Sequence, residues 1–103
     1  MIGTIYIEDV KHANEKAGKY WFSKDTLRFF KSRVAPVAYT TRDGKTAYFV
    51  SSEKFDHDTP RLYTVRMCDL TTGEIDTVGK FQAYKSQAAA TYHAKKLAKK
   101  GEQ

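Results

Sequence analysis

The side chains of this chain with the readiest catalytic or metal-binding chemistry are three histidines, His12, His57 and His93, and a single cysteine, Cys68. The histidines fall in a polar connector, a loop and a helix-prone stretch. None has a spacing partner of the kind that marks a zinc site or a catalytic triad. Asp56-His57-Asp58 brings two carboxylates next to an imidazole. Neighbouring residues of an extended loop point apart, so this tripeptide reads as a solvated loop rather than a chelate. Cys68 is followed by Asp69, whose charge raises a thiol pKa and works against a nucleophile. Ser51-Ser52-Glu53 lacks the flanking glycines of a nucleophile elbow, and the glycines stand singly, so no loop cradles a phosphate. No catalytic residue, metal ligand or cofactor is expected, and the chain reads as a non-enzyme.

The charges have a clearer pattern. Lys24, Arg28 and Lys31 recur at four and three residues, which places them on one side of a helix, with Lys19 and Arg33 nearby in sequence. Between Lys85 and Lys100 there are five lysines (85, 95, 96, 99 and 100) and no acidic residue. Clusters of this kind on two helices are what a protein that neutralises backbone phosphates carries. Late-helix lysines are also favoured by the helix dipole alone. The candidate nucleic-acid-binding residues are therefore Lys24, Arg28, Lys31, Lys95, Lys96, Lys99 and Lys100. A second candidate surface is aromatic: Tyr39, Tyr48, Phe49 and Tyr63 lie on strands, and a helix-free sheet face bearing tyrosines could stack bases or meet a protein.

These residues need elements to hold them. Ile2, Ile5, Tyr6 and Ile7 form a short β-prone run, and Val10–Lys19 reads as a polar connector with at most a helical turn at His12–Lys16. A helix is predicted over 23–34. Ser23 caps it, Phe22 and Leu27 have the spacing of a hydrophobic staple, Leu27, Phe30 and Val34 give an apolar face, and Pro36 stops it. Trp21 and Phe22 read as a core anchor. Two hairpins follow. Val37–Arg42 and Lys45–Ser51 flank Asp43-Gly44, and Arg61–Cys68 and Glu74–Gln82 flank Leu70-Thr71-Thr72-Gly73, with glycine suited to a left-handed position. Glu53–Pro60 is a polar loop between them. Tyr63, Val65 and Met67 are expected on the core face, with Leu62, Thr64 and Arg66 opposite. A last helix runs from Ser86 to Gly101, with Ala90, Ala94 and Leu97 on its packed side. The order is β-α-β-β-β-β-α. The expected architecture is α+β, a four- to five-stranded antiparallel sheet with two helices packed on one face, forming a single domain over residues 1–103.

Composition sets the outer limits. The chain has 103 residues, 41% hydrophobic and 29% charged, which suits one packed core rather than disorder. One cysteine excludes an intramolecular disulfide, and a lone thiol fits a reducing compartment. With no signal-peptide pattern and no apolar run long enough to span a bilayer, the expectation is a cytoplasmic protein without membrane contact. The net charge of +6 favours an anionic partner.

The order of helices and strands resembles the double-stranded RNA-binding domain. That family has three strands and a lysine cluster opening its second helix, whereas Ser86-Gln87-Ala88-Ala89-Ala90 is uncharged here. Its function does not carry over. The segments Phe22–Phe30, Tyr48–Phe55, Tyr63–Arg66 and Thr72–Phe81 resemble a group of small uncharacterised proteins of phages and other mobile elements, over about residues 20 to 100. That resemblance implies a genomic setting whose proteins often bind nucleic acid or block a host factor. The first reading is thus a small basic domain that contacts DNA or RNA through helix-borne lysines and arginines. The second is a protein–protein inhibitor or adaptor whose partner is a host protein, for example one that blocks a defence complex such as a CRISPR effector.

Overall fold

The computed structural model describes residues 3–22, 33–54, 60–80 and 82–100. Among these, six strands form one antiparallel sheet: β1 (Gly3–Tyr6), β2 (Arg33–Val34), β3 (Val37–Thr40), β4 (Thr46–Glu53), β5 (Leu62–Asp69) and β6 (Ile75–Thr77). Two helices accompany it, α1 (Ile7–Lys16) and α2 (Gln87–Lys100). The strands lie in the order β1-β3-β4-β5-β6, and β2 pairs with the far end of β4. The α+β class and the antiparallel sheet are those expected, and the order of elements matches roughly. The sheet is one strand larger because Arg33–Val34, expected to end a helix, pair instead with Ser52 and Ser51. The rest of the helix expected over 23–34 lies outside the described residues.

β2 and β3 share one flank of β4, and the pairing shifts across Ala35–Pro36, which form a bulge. Pro36 has no amide to give the ladder, while its carbonyl accepts the Ile7 N–H at 2.9 Å and so sets the start of α1. Both expected hairpins form. The β3–β4 turn is centred on Asp43-Gly44, with Asp43 Oδ1 accepting the Lys45 amide at 2.9 Å. The β5–β6 turn puts Gly73 at φ +76°, the left-handed position its sequence called for. β6 is shorter than expected. After Val78 the edge loses its ladder and returns only as a bridge between Tyr63 and Tyr84.

The stretch Val10–Lys19, expected to be a connector, is corrected: most of it is α1. The Tyr6 amide donates to Asp9 Oδ2 at 3.3 Å, half of a capping box, and Glu8 and Asp9 suit the positive end of the dipole. Its buried residues are Val10 and Asn14, one apolar and one polar. So sparse a stripe escapes hydrophobic periodicity. Asn14 is fully buried. Its Nδ2 donates to the Gly73 carbonyl at 2.7 Å, and its Oδ1 accepts the Trp21 amide at 2.7 Å. One side chain thereby ties α1 to the β5–β6 turn and to the chain after the helix. The turn approaches closely, since a Cβ on Gly73 would lie 2.6 Å from the Ala13 carbonyl oxygen.

The two described helices cover opposite faces of the sheet; the helix over 23–34 that was expected to share a face with α2 lies outside the described residues. On the α1 face, Val10 and Phe22 pack with Ala38, Ala47, Phe49 and Cys68. Trp21 meets Phe22 and Phe49 edge-on, with ring centroids 4.9 and 5.7 Å apart. On the other face, Ala90 and Ala94 of α2 sit on Val50 and Val65, with Tyr39, Tyr48 and Tyr63 at the margins. Alanines at four-residue spacing let the helix lie close to the strands. Neither face is therefore bare, which corrects the expectation of a helix-free face lined with tyrosines.

Replacing Asn14 with alanine leaves the Gly73 carbonyl and the Trp21 amide unpaired in the interior, so a loss of about 2–4 kcal/mol is expected in urea denaturation. A loss below about 0.5 kcal/mol, the range of an ordinary surface substitution, would contradict this role for Asn14.

Candidate functional site

Lys95, Lys96 and Lys99 lie exposed on α2. At about 100° per residue, positions 92, 95, 96 and 99 share one side of the helix, opposite Ala90, Ala94 and the buried Ala98. Tyr92 stands among them, 64% exposed. The Lys95 ammonium lies 5.3 Å from the centre of the Tyr39 ring, a cation–π contact that fixes it at the helix–sheet edge. No ion pair engages Lys95, Lys96 or Lys99 among the described residues. Lys100 ends α2, and its side chain lies outside the described part. Lys24, Arg28 and Lys31 lie outside it too, so the described structure gathers one of the two expected clusters.

The sequence reading missed the residues at the other end of α2. Arg33 pairs with Ser52 across the β2–β4 ladder. Arg61 Nη1 donates to the Ser52 Oγ at 2.9 Å and to its carbonyl at 3.2 Å. Arg33 and Arg61, with Gln87 and the apolar Val34, Ala35 and Val50, line a cavity of about 230 Å3 at the N-terminal end of α2. The signal was a pairing across 19 residues of sequence, which no local pattern carries. Gln87 also borders an open groove along α2, formed with Ala88, Thr91, Tyr92 and Lys95.

A second polar cluster lies within the α1 face. Glu53 is buried, accepts a hydrogen bond from the Thr64 hydroxyl, and stands 3.6 Å from Arg66 Nη2. Arg66 also donates to the Ser51 and Thr77 hydroxyls and lies 5.4 Å from the Trp21 ring centre. Burial lowers the Arg66 pKa, and the Glu53 charge opposes that shift. Gln82 closes the cluster: its amide donates to the Thr64 hydroxyl at 2.8 Å and its Nε2 to the Glu53 carbonyl at 3.2 Å. Glu53 Oε2 is buried without a hydrogen-bond partner among the described residues. The cluster pairs a carboxylate with a guanidinium and holds hydroxyls, but brings no imidazole or thiol to them. It works as a pin between β4 and β5.

Cys68 is buried in the α1 face, and its thiol is pushed up to about 11, first by burial and then by Asp69. A thiol held neutral is a poor nucleophile. No group of three or more His, Cys, Asp or Glu side chains is placed to hold a metal among the described residues. None of the described helices is long and apolar enough to cross a membrane.

Fold and surface together define a small α+β domain, one antiparallel sheet between two helices, with a basic edge along α2. Residues 6–95 match a family of unknown function, DUF7447, and the chain belongs to that family. No curated protein and no solved structure matches it.

Two pH effects follow from the shifted groups. Asp43 and Asp69 are held low by the Thr41 and Thr71 hydroxyls, with help from nearby amides. The unfolded chain therefore takes up their protons first, and stability present above about pH 4 falls as the pH drops through their lowered values. Cys68 is raised, so the unfolded chain loses that proton first. Stability is full below about pH 8.5 and falls as pH climbs toward the folded value of about 11. Thermal melts across pH are expected to show a plateau between these limits. Native Cys68 is expected to resist a thiol reagent at pH 8 and to react at once in denaturant; fast labelling of the native protein would contradict the burial.

Breaking the Glu53–Arg66 pair from one side leaves a buried charge without its counter-ion. Arg66→Met is expected to cost about 3–5 kcal/mol in urea denaturation, and the double variant Glu53→Gln with Arg66→Met less than the sum of the two single variants. Additive losses would mean that the two side chains are not coupled.

Proposed function

We propose that this protein is a nucleic-acid-binding domain without catalytic activity or cofactor, with α2 as its contacting element. The observation that supports the reading best is the exposed quartet of Tyr92, Lys95, Lys96 and Lys99 on a helix with no acidic residue. Three ammonium groups supply counter-charge to phosphates, while the tyrosine offers a ring to stack on a base. Ala88 and Ala89, one turn earlier, are exposed and small, so a strand can come close to the helix backbone. The contacts are of a kind that holds a backbone and reads little sequence. The helix that was expected to carry Lys24, Arg28 and Lys31 would add to the same charge.

The resemblance to small proteins of phages and mobile elements supports an origin in that setting and a cytoplasmic site of action. A protein–protein inhibitor or adaptor aimed at a host protein, such as a component of a defence complex, is the second reading. It draws on Tyr6 and Tyr20, which are 70% and 58% exposed and which the α2 contacts leave unused. A partner captured from nuclease-treated lysate that stays bound at moderate salt favours this second reading.

Binding to a labelled oligonucleotide, followed by fluorescence anisotropy across salt concentrations, tests the first reading. A log–log slope of several units is expected, and the triple variant Lys95→Ala, Lys96→Ala, Lys99→Ala is expected to lower it by about 2–3. A flat salt response, or a slope unchanged in the triple variant, would overturn it.

A further inference from the structure

One flank of α2 carries a groove bordered by Gln87, Ala88, Thr91, Tyr92 and Lys95. Residues 87, 91 and 95 recur every four positions, and 88 and 92 form the row beside them. The first row is polar: an amide, a hydroxyl and an ammonium. The second is apolar, a methyl group and a ring. The Gln87 side-chain amide and the Thr91 hydroxyl have no hydrogen-bond partner among the described residues, and no carboxylate among them lines the groove. Lys95 is steered by the Tyr39 ring, 5.3 Å away, a contact with a neutral group that leaves its charge uncompensated. Tyr92 is steadied from the opposite flank of the helix. His93 meets it edge-to-face with ring centroids 5.8 Å apart, and Tyr84 lies against His93 at 4.9 Å. An edge-to-face pair leaves at least one face of Tyr92 without a ring on it. A chain of rings thus runs from Tyr84, at the margin of the α2 core, out to an exposed tyrosine beside the groove.

We infer that this groove seats an unpaired base of a nucleic-acid strand, stacked on Tyr92, with the neighbouring phosphates held by Lys95, Lys96 and Lys99. The inference rests on the proposed nucleic-acid reading and names the substrate class, single strands rather than duplex. The groove measures about 490 Å3, within the ~300–1,000 Å3 range of sites for small organic ligands. A base has a flat π-face and an edge of donors and acceptors. Its face matches the Tyr92 ring and the Ala88 methyl beside it. Its edge matches Gln87 and Thr91, whose side chains each donate and accept, so the groove takes any base rather than one. A duplex keeps its base faces in the stack and offers this groove phosphates alone. Lys95, Lys96 and Lys99 follow Tyr92 within about 10 Å along the helix axis, so a strand leaving the seated base meets counter-charge at once. No acidic residue on α2 opposes it.

The test compares a labelled oligothymidine, the same strand with abasic sites in place of its bases, and a duplex of equal length, all at one salt concentration. The abasic strand keeps every phosphate and loses every ring. The oligothymidine is expected to bind about tenfold more tightly than the abasic strand, and more tightly than the duplex. Tyr92→Leu, at an exposed position, is expected to close that gap by weakening the oligothymidine alone, whereas Tyr92→Phe keeps it. Thr91→Val is expected to weaken the oligothymidine about threefold, again without effect on the abasic strand. If strands bind but the bases make no difference, the inference falls and the nucleic-acid reading stands. The same follows if the duplex binds more tightly, or if Tyr92→Leu weakens all three ligands alike. If no strand binds, both readings fall. If poly-glutamate displaces the oligothymidine at a lower concentration than the abasic strand does, the groove serves an acidic polypeptide and the inference is overturned.

Discussion

The constraint on which the structure depends is the two-sidedness of β4. This strand is paired along both edges, with β2 and β3 on one flank and β5 on the other, and it is covered on both faces. Ala47 and Phe49 answer to the core under α1, and Val50 to the core under α2. A slip of one residue would exchange these sets, setting Phe49 against the alanines of α2 and leaving Val50 beneath Trp21. Size matching enforces the register: the large aromatic side needs the space beneath α1, and the alanine stripe of α2 needs the low relief of Val50 and Val65. The polar residues at the end of the strand follow the same alternation. Glu53 is delivered to Arg66 on one face, and Ser52 to Arg61 on the other.

Stability and the proposed function therefore draw on separate chemistry placed by one strand. On the α1 face the polar groups turn inward and are spent on each other, as Glu53, Arg66, Thr64, Ser51 and Gln82 show. On the α2 face the basic groups stay at the surface, because the helix that carries them packs through alanines and has no acidic residue to pair with them. Asn14 completes the division. By binding the Gly73 carbonyl and the Trp21 amide it seals the α1 face.

Much of this was legible in the sequence wherever the signal was local. Asp43-Gly44 and Leu70–Gly73 announced their turns because both demand left-handed backbone near a glycine. The alanine spacing and the late lysines announced α2. What escaped depended on distant partners. α1 is held by an asparagine whose acceptor lies in another hairpin, so its sequence looks like a polar connector. Arg33 and Arg61 come together only because β2 pairs with β4, a contact that helix periodicity over 23–34 argued against. Lys95, Lys96 and Lys99 were legible as a cluster, yet Tyr92 at its centre was not singled out, since one aromatic among lysines has no distinctive spacing. The sheet's second cover was misread for the same reason as α1: once the connector is taken as coil, one face is left bare.

The central claim is that nucleic acid contacts the α2 side of the sheet and leaves the α1 side untouched. Amide chemical-shift mapping of the whole protein with a short single-stranded oligonucleotide tests it most directly. The account predicts perturbations that gather on residues 88–99 of α2, with α1, Cys68 and the Glu53–Arg66 cluster unmoved. Perturbations centred on α1 and the β5–β6 turn, or none at saturating oligonucleotide, would contradict it.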